Sequence, residues 1–197
     1  MKVGLYFGSF NPIHHGHLII ANFILQNSDL DQVWLVISPQ NPFKPNHGLL
    51  NEYHRLALVN TALEGETKIR ASDIEFRLPK PSYTIDTLSY LHEKYPEHDF
   101  VIIMGSDSYQ NLDKWKNAPV IMERYPIYVY TRPGFPVRKD LPGKITVLKA
   151  PMLQISATEV RNMILKGQSI RYLVPDSVKE EIERNSYYKN LKNPAQQ

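Results

Sequence analysis

The sequence predicts an α/β fold, a doubly wound and mainly parallel sheet, followed by a small C-terminal helical subdomain. Three observations carry this. Short apolar runs rich in β-branched and aromatic residues recur along the chain, and helical patterns separate them. The runs are apolar throughout instead of alternating, as expected of strands covered on both faces. Strand and helix patterns that alternate at these spacings build parallel βαβ units.

The elements follow in order. Residues 3–7 form the first buried strand, and residues 16–26 the first helix, with Leu18, Ile19, Ala21, Phe23, Ile24 and Leu25. That helix is too apolar for a surface position and suits packing on a sheet. Residues 33–37 are the second strand. Residues 51–63 place Leu56, Leu58, Val59 and Leu63 at helical spacing, and residues 69–74 are a weaker strand interrupted by Arg70 and Asp73. Residues 84–95 space Ile85, Leu88 and Leu91 by three, and strands are expected at 100–104, 127–130 and 145–148. From Ser156 two helical patterns run without a strand between them, at 157–166 and 176–185. Gly167 stops the first, and Pro175 opens the second in the favoured first-turn position. Residues 1–150 are thus expected to form the α/β domain, 151–189 the helical subdomain, and 190–197 a polar tail that frays. Pro-rich loops are expected at 39–46, 78–82 and 132–142.

Composition narrows the function classes. The 197 residues are 42% hydrophobic and 22% charged, enough for a core without staples. The absence of cysteine excludes disulfides and thiolate zinc sites. A formal charge of +3 suits anionic small molecules and lacks the basic stripe of a dedicated nucleic-acid binder. The opening apolar run is too short for a signal peptide, and the longest apolar stretches fall below the roughly 18 residues of a membrane span. The expectation is a cytoplasmic protein with no nucleic-acid or membrane partner. The oligomeric state stays open.

Two segments carry chemistry. Gly8-Ser9-Phe10-Asn11-Pro12-Ile13-His14-His15-Gly16-His17 joins the first strand to the first helix. Ligands of open α/β sheets sit outside the carboxyl ends of strands, and a helix start favours phosphate. Gly8 allows close backbone approach and Ser9 adds a hydroxyl. His14 and His17, three apart, face one point and suit charge on a phosphoryl group. A metal site on the same histidines is the competing reading, with no carboxylate or thiol nearby in sequence to complete it. His15 is expected to face solvent. The second segment, Ile155-Ser156-Ala157-Thr158-Glu159-Val160-Arg161, has capping-box spacing. Ser156, Thr158 and Arg161 add two hydroxyls and a bidentate guanidinium to another helix start.

The first segment resembles the signature of the HxGH nucleotidyltransferase superfamily, and the second resembles that superfamily's ISxTxxR element. The resemblance implies a Rossmann-like sheet, with His14 and His17 on the ATP phosphates and Arg161, Ser156 and Thr158 on the leaving pyrophosphate. Within the superfamily, further segments resemble the nicotinate mononucleotide adenylyltransferases, so that the match spans residues 3–182. Asn41-Pro42-Phe43-Lys44-Pro45 resembles the loop that supplies a lysine to substrate phosphates. Pro81-Ser82-Tyr83-Thr84-Ile85 resembles the helix start that receives the pyridine carboxyl group, where Thr84 also reads as an N-cap. Gly105 and Asp107 of Met104-Gly105-Ser106-Asp107 match contacts to the ATP ribose and phosphates. Trp115 matches the ring stacked on the pyridine, and Arg132 of Thr131-Arg132-Pro133-Gly134 a loop near the adenine. Residues 167–175 match a C-terminal segment expected to act by packing. Phe7 stands where many relatives have glycine, Asn11 where many have aspartate, and Ser106 where alanine is common.

The resemblance implies attack of the 5′-phosphate of nicotinate mononucleotide on the α-phosphorus of ATP. His14, His17 and Arg161 are then catalytic. Gly8, Ser9, Phe10, Gly105, Asp107, Arg132, Ser156 and Thr158 bind ATP. Ser9, Lys44, Thr84 and Trp115 bind the mononucleotide. Mg²⁺ would arrive with ATP, the protein supplying no metal site of its own. The rivals are the same chemistry on nicotinamide mononucleotide, phosphopantetheine or a sugar phosphate with CTP, a catalytically inactive nucleotide sensor, and RNA binding.

Overall fold

The computed structural model describes residues 1–40, 48–151 and 153–189. Six strands form one parallel sheet: β1 (Lys2–Gly8), β2 (Gln32–Ile37), β3 (Ile69–Ser72), β4 (Asp99–Gly105), β5 (Ile127–Tyr130) and β6 (Ile145–Leu148). Their order is β3-β2-β1-β4-β5-β6, every pair parallel. The chain winds outward from β1 in one direction through β2 and β3, then in the other through β4, β5 and β6. β1 therefore pairs with both β2 and β4, and the crevice where the winding reverses opens at their carboxyl ends. Two of the nominated stretches leave the sheet there: residues 8–17 run on from the end of β1, and residues 105–107 from the end of β4.

Side chains alternate across β1 and divide the core in two. Tyr6 faces α1 (His15–Gln26), α2 (Glu52–Ala62), α6 (Ala157–Leu165) and α7 (Asp176–Arg184), whose buried residues include Ile24, Leu58, Val160 and Ile182. Val3 and Leu5 face α3 (Thr84–Lys94) and α5 (Ala118–Arg124), through Leu88, Leu91 and Ile121. Coverage on both sides explains why these strands read as unbroken apolar runs. A four-residue helix, α4 (Ser106–Tyr109), follows β4, and single 3₁₀ turns occupy Ile74–Arg77 and Leu112–Lys114.

The structure departs from the sequence reading in several places. The weak strand ends at Ser72, and the exposed Asp73 leads into a 3₁₀ turn in which Ile74 and Glu75 are buried. α5 was not anticipated, because Pro119 interrupts its short pattern. The proline lies in the first turn, where no helical N–H is required of it. Pro175 sits one residue before α7, in the N-cap position with φ −54°. Likewise Tyr83, and not Thr84, is the N-cap of α3; Thr84 is the first helical residue. The expected polar tail at 190–197 lies outside the described residues. Among the described residues, no helix is long and apolar enough to cross a membrane.

Candidate active site

Two cavities open at the carboxyl ends of β1 and β4. The first, about 520 Å³, is lined by Ser82, Tyr83, Thr84 and Trp115 on one side and by Gly8, Ser9, Gly105 and Asp107 on the other. The second, about 370 Å³, is lined by His14, His17, Arg132, Ser156, Thr158 and Arg161, and again by Gly8, Ser9 and Asp107. Each volume suits a small ligand. Tyr6, Phe7, Gly8, Ser9, Asp107, Ser108 and Tyr130 line both. They form a shared wall across which two ligands would meet.

The first segment assembles around its own rings. Phe10, in the left-handed region at φ 44°, turns its buried side chain back under Gly8. A Cβ on Gly8 would lie 2.8 Å from that ring, so this glycine makes room for Phe10 as well as lining the cavities. His14 is the N-cap of α1, extended at φ −148°, and His17 lies in the first turn. Their rings stack with centroids 3.7 Å apart at 25°, as the three-residue spacing requires. Phe10 meets the His17 ring edge-on at 5.0 Å. Gly16 is small for a local reason: a Cβ there would stand 3.0 Å from the His14 ring.

Burial sets the charge of this pair. Desolvation, with smaller contributions from His15 and Arg132, lowers the His14 pKa from 6.5 to about 4. His14 is therefore a neutral imidazole near pH 7 that can still donate one N–H. Its Nδ1 is buried with no hydrogen-bond partner among the described residues. His15, expected in solvent, is half-buried, and its backbone N–H donates to the Leu173 carbonyl at 2.9 Å. Residues 167–175 thus brace the start of α1.

α6 brings the second segment to the same place. The Ser156 hydroxyl accepts the Glu159 N–H at 3.1 Å, as the capping-box spacing requires. Arg161 donates to the Asn11 carbonyl at 2.7 Å and to the Thr158 hydroxyl at 3.2 Å. Opposite, Arg132 pairs with Asp107 Oδ2 at 2.8 Å, while Asp107 Oδ1 is buried without a hydrogen-bond partner among the described residues. Among the described residues no group of three or more His, Asp or Glu side chains is placed to hold a metal ion.

Of the site residues expected from sequence, all but Lys44 are brought to one or both cavities. Lys44 lies outside the described residues. Others went unnoticed in the sequence. Tyr6 and Tyr130 join hydroxyls at 3.2 Å on the shared wall. Glu75, 2% exposed, accepts the hydroxyls of Ser82 at 2.5 Å and Thr87 at 2.9 Å below the start of α3. Burial raises its pKa against those hydrogen bonds. The only available signal for Glu75 was a carboxylate beside the buried Ile74.

Comparison with known proteins shows the family. Residues 5–163 match the family model for cytidylyltransferase-like proteins. A probable nicotinate-nucleotide adenylyltransferase of Cytophaga hutchinsonii is 51% identical over 193 residues, covering 96% of this chain and all of the relative. The chain belongs to the cytidylyltransferase-like family and, within it, to the nicotinate-nucleotide adenylyltransferases. A probable enzyme of the same name from Flavobacterium johnsoniae is also 51% identical, again over 96% of this chain and all of the relative. Among solved structures, the Plasmodium falciparum nicotinic acid mononucleotide adenylyltransferase complexed with NaAD superposes with a TM-score of 0.81 at 21% identity. The match covers 95% of this chain and 97% of that one, and establishes the fold.

Membership makes the departures from the family's signature informative, and two have structural reasons. Asn11 is buried, and its amide works in both directions: Nδ2 donates to the Gly48 carbonyl at 2.8 Å, and Oδ1 accepts from the Leu50 N–H at 3.1 Å. A carboxylate could make only the second bond. The Ser106 hydroxyl, fully buried, accepts the Arg132 N–H at 2.8 Å, so it anchors the loop after β5. Phe7 is partly buried against the α3 side of the core and lines both cavities.

Proposed function

We propose that the chain transfers the adenylyl group of ATP to nicotinate mononucleotide in the cytoplasm, giving deamido-NAD and pyrophosphate in NAD synthesis. The observation that carries this is the pair of cavities meeting at one wall in a chain 51% identical to relatives of that name. The mononucleotide occupies the first cavity, with its pyridine beside Trp115 and its phosphate at Ser9. ATP occupies the second, its phosphates between the histidine pair and the start of α6.

The chemistry asks little of the protein beyond placement. A phosphate monoester, with a second pKa of about 6, is mostly dianionic at pH 7 and attacks without a general base. Catalysis then lies in alignment and in stabilising charge as the α-phosphoryl group passes over. His14 and His17 present N–H donors to that group. Arg161 and the hydroxyls of Ser156 and Thr158 hold the departing pyrophosphate, for which Arg161 would exchange its present carbonyl partner. Gly8, Phe10, Gly105 and Arg132 complete the ATP site, and Lys44 serves the substrate phosphates. Mg²⁺ bound to ATP would draw its ligands mainly from phosphate and water, with Asp107 Oδ1, which has no partner among the described residues, an oxygen on the shared wall. The Tyr83 side chain does not cap α3, so the first-turn N–H groups beside Thr84 favour a carboxylate over an amide.

Pyrophosphate release from ATP and Mg²⁺, run in parallel with nicotinate and nicotinamide mononucleotides, tests this. The nicotinate form should react far faster. Preference for the amide would move the activity to that acceptor, and no release with either would overturn the proposal.

A further inference from the structure

α2 buries a charge where its neighbours bury hydrocarbon. Arg55 is 0% exposed, on the face that also carries Leu58 and Val59. Its guanidinium reaches four carbonyls: Nε donates to Leu50 at 2.7 Å, one terminal nitrogen to Ser9 at 2.6 Å and Ser38 at 2.9 Å, and the other to Pro39 at 3.1 Å. Among the described residues it has no carboxylate within ion-pair distance, so four dipoles satisfy its hydrogen bonds and leave its positive charge intact. Arg55 lines neither cavity, whereas Ser9 lines both.

The Ser9 carbonyl gives this contact a consequence. In a trans peptide the C=O and the following N–H point in opposite directions. Drawing the Ser9 carbonyl toward Arg55 therefore turns the Phe10 N–H away from it, and both Ser9 and Phe10 line the second cavity, which Arg55 does not. The turn needs such a hold, because Phe10 sits at φ 44°, a region that side chains other than glycine resist. A second guanidinium works two residues on, where Arg161 takes the Asn11 carbonyl at 2.7 Å. The phenol of Tyr188, buried and left-handed at φ 65°, lies in the field of both arginines.

We propose that Arg55 is a positioning residue for the phosphate site: by holding the carbonyls of Ser9, Ser38 and Pro39 in one fork, it sets the turn after β1 so that the Phe10 N–H meets a phosphate oxygen. It touches no substrate and acts through Ser9 and Phe10. The planarity of the guanidinium matters as much as its charge, since one ammonium cannot span carbonyls from three stretches of chain. The proposal rests on the second cavity being the ATP site.

The test compares binding of ATP with binding of adenosine, which lacks the phosphates, by titration calorimetry on the full chain and its Arg55→Lys and Arg55→Met variants. Folding of each is checked by circular dichroism. Both variants should weaken ATP binding by about tenfold or more, the loss expected when a hydrogen bond to a charged group is misaimed. Adenosine binding should stay within about twofold. A purely structural role would move both ligands together, and that result overturns the proposal, as does full ATP affinity in Arg55→Lys, which keeps the charge without the fork. Amide hydrogen exchange on the unaltered protein supplies a test that needs no variant. ATP should slow exchange of the Phe10 N–H well beyond any effect of adenosine, and equal protection by the two overturns the proposal. If the unaltered protein binds neither nucleotide, the ATP-site reading itself has failed and this proposal falls with it.

Discussion

Acidification probes the buried histidine directly. His14 is 5% exposed, and its pKa is lowered from 6.5 to about 4, chiefly by burial. In the unfolded chain the same imidazole titrates near 6.5. Between those values the unfolded state binds a proton that the folded state refuses, so stability rises with pH across the window. The contribution is intact above pH 6.5, declines as the pH falls, and is gone below about 4. At about 1.4 kcal/mol for each tenfold change in proton affinity, the whole displacement corresponds to about 3 kcal/mol. Other groups titrate over the same range. Glu75, raised by burial, opposes the trend by gaining stability as the pH falls, while Asp29 and Glu52, held low by Lys2 and Lys80, reinforce it. Urea denaturation of the nucleotide-free protein and of His14→Gln, compared between about pH 7.5 and about pH 4, cancels those terms. The natural protein should lose about 3 kcal/mol more than the variant over that interval. Parallel stability curves would refute the buried neutral imidazole.

Three substitutions test the surroundings. Trp115→Ala should raise KM for the mononucleotide by up to about tenfold through lost stacking while leaving the Kd of ATP unchanged; a change confined to ATP would refute its place in the first cavity. Asn11→Asp replaces the donor to the Gly48 carbonyl with a carboxylate and should cost about 1–3 kcal/mol in thermal or urea unfolding; an unchanged midpoint would show that the amide is not needed there. Gly16→Ala places a methyl group 3.0 Å from the His14 ring. Displacing that ring should lower turnover by about tenfold or more with little effect on melting, and equal turnover would contradict the close fit.

Much of this was legible because its signals are local. β1, β2 and β4 are covered on both faces, so each is one unbroken apolar run. The two chemical segments are likewise contiguous: the His14–His17 stack and the Ser156 cap follow from spacings of three within single turns. β3 and α5 read poorly, the first because charges interrupt a short edge strand and the second because Pro119 resembles a helix breaker while sitting where a helix tolerates it. The supports of the site were not legible, because they join distant residues. Arg55 reaches Ser9 across 46 positions, Tyr6 meets Tyr130 across 124, and Arg161 finds Asn11 across 150. Arg55 interrupted the apolar stripe of α2, and a leucine-based reading of that helix passed over the charge on the buried face. Spacing could nominate the groups that meet a ligand, but the groups that aim them become visible only in the folded chain.

The central claim is that the stacked histidines stabilise charge on the transferring phosphoryl group at the wall between the cavities. The most direct measurement is pyrophosphate release by His17→Ala with saturating ATP, Mg²⁺ and nicotinate mononucleotide, beside the unaltered protein. Turnover should fall by about 100-fold or more, the usual cost of removing one preorganised donor, while circular dichroism and the unfolding midpoint stay close to those of the parent. Near-normal turnover in a folded His17→Ala protein would contradict the account.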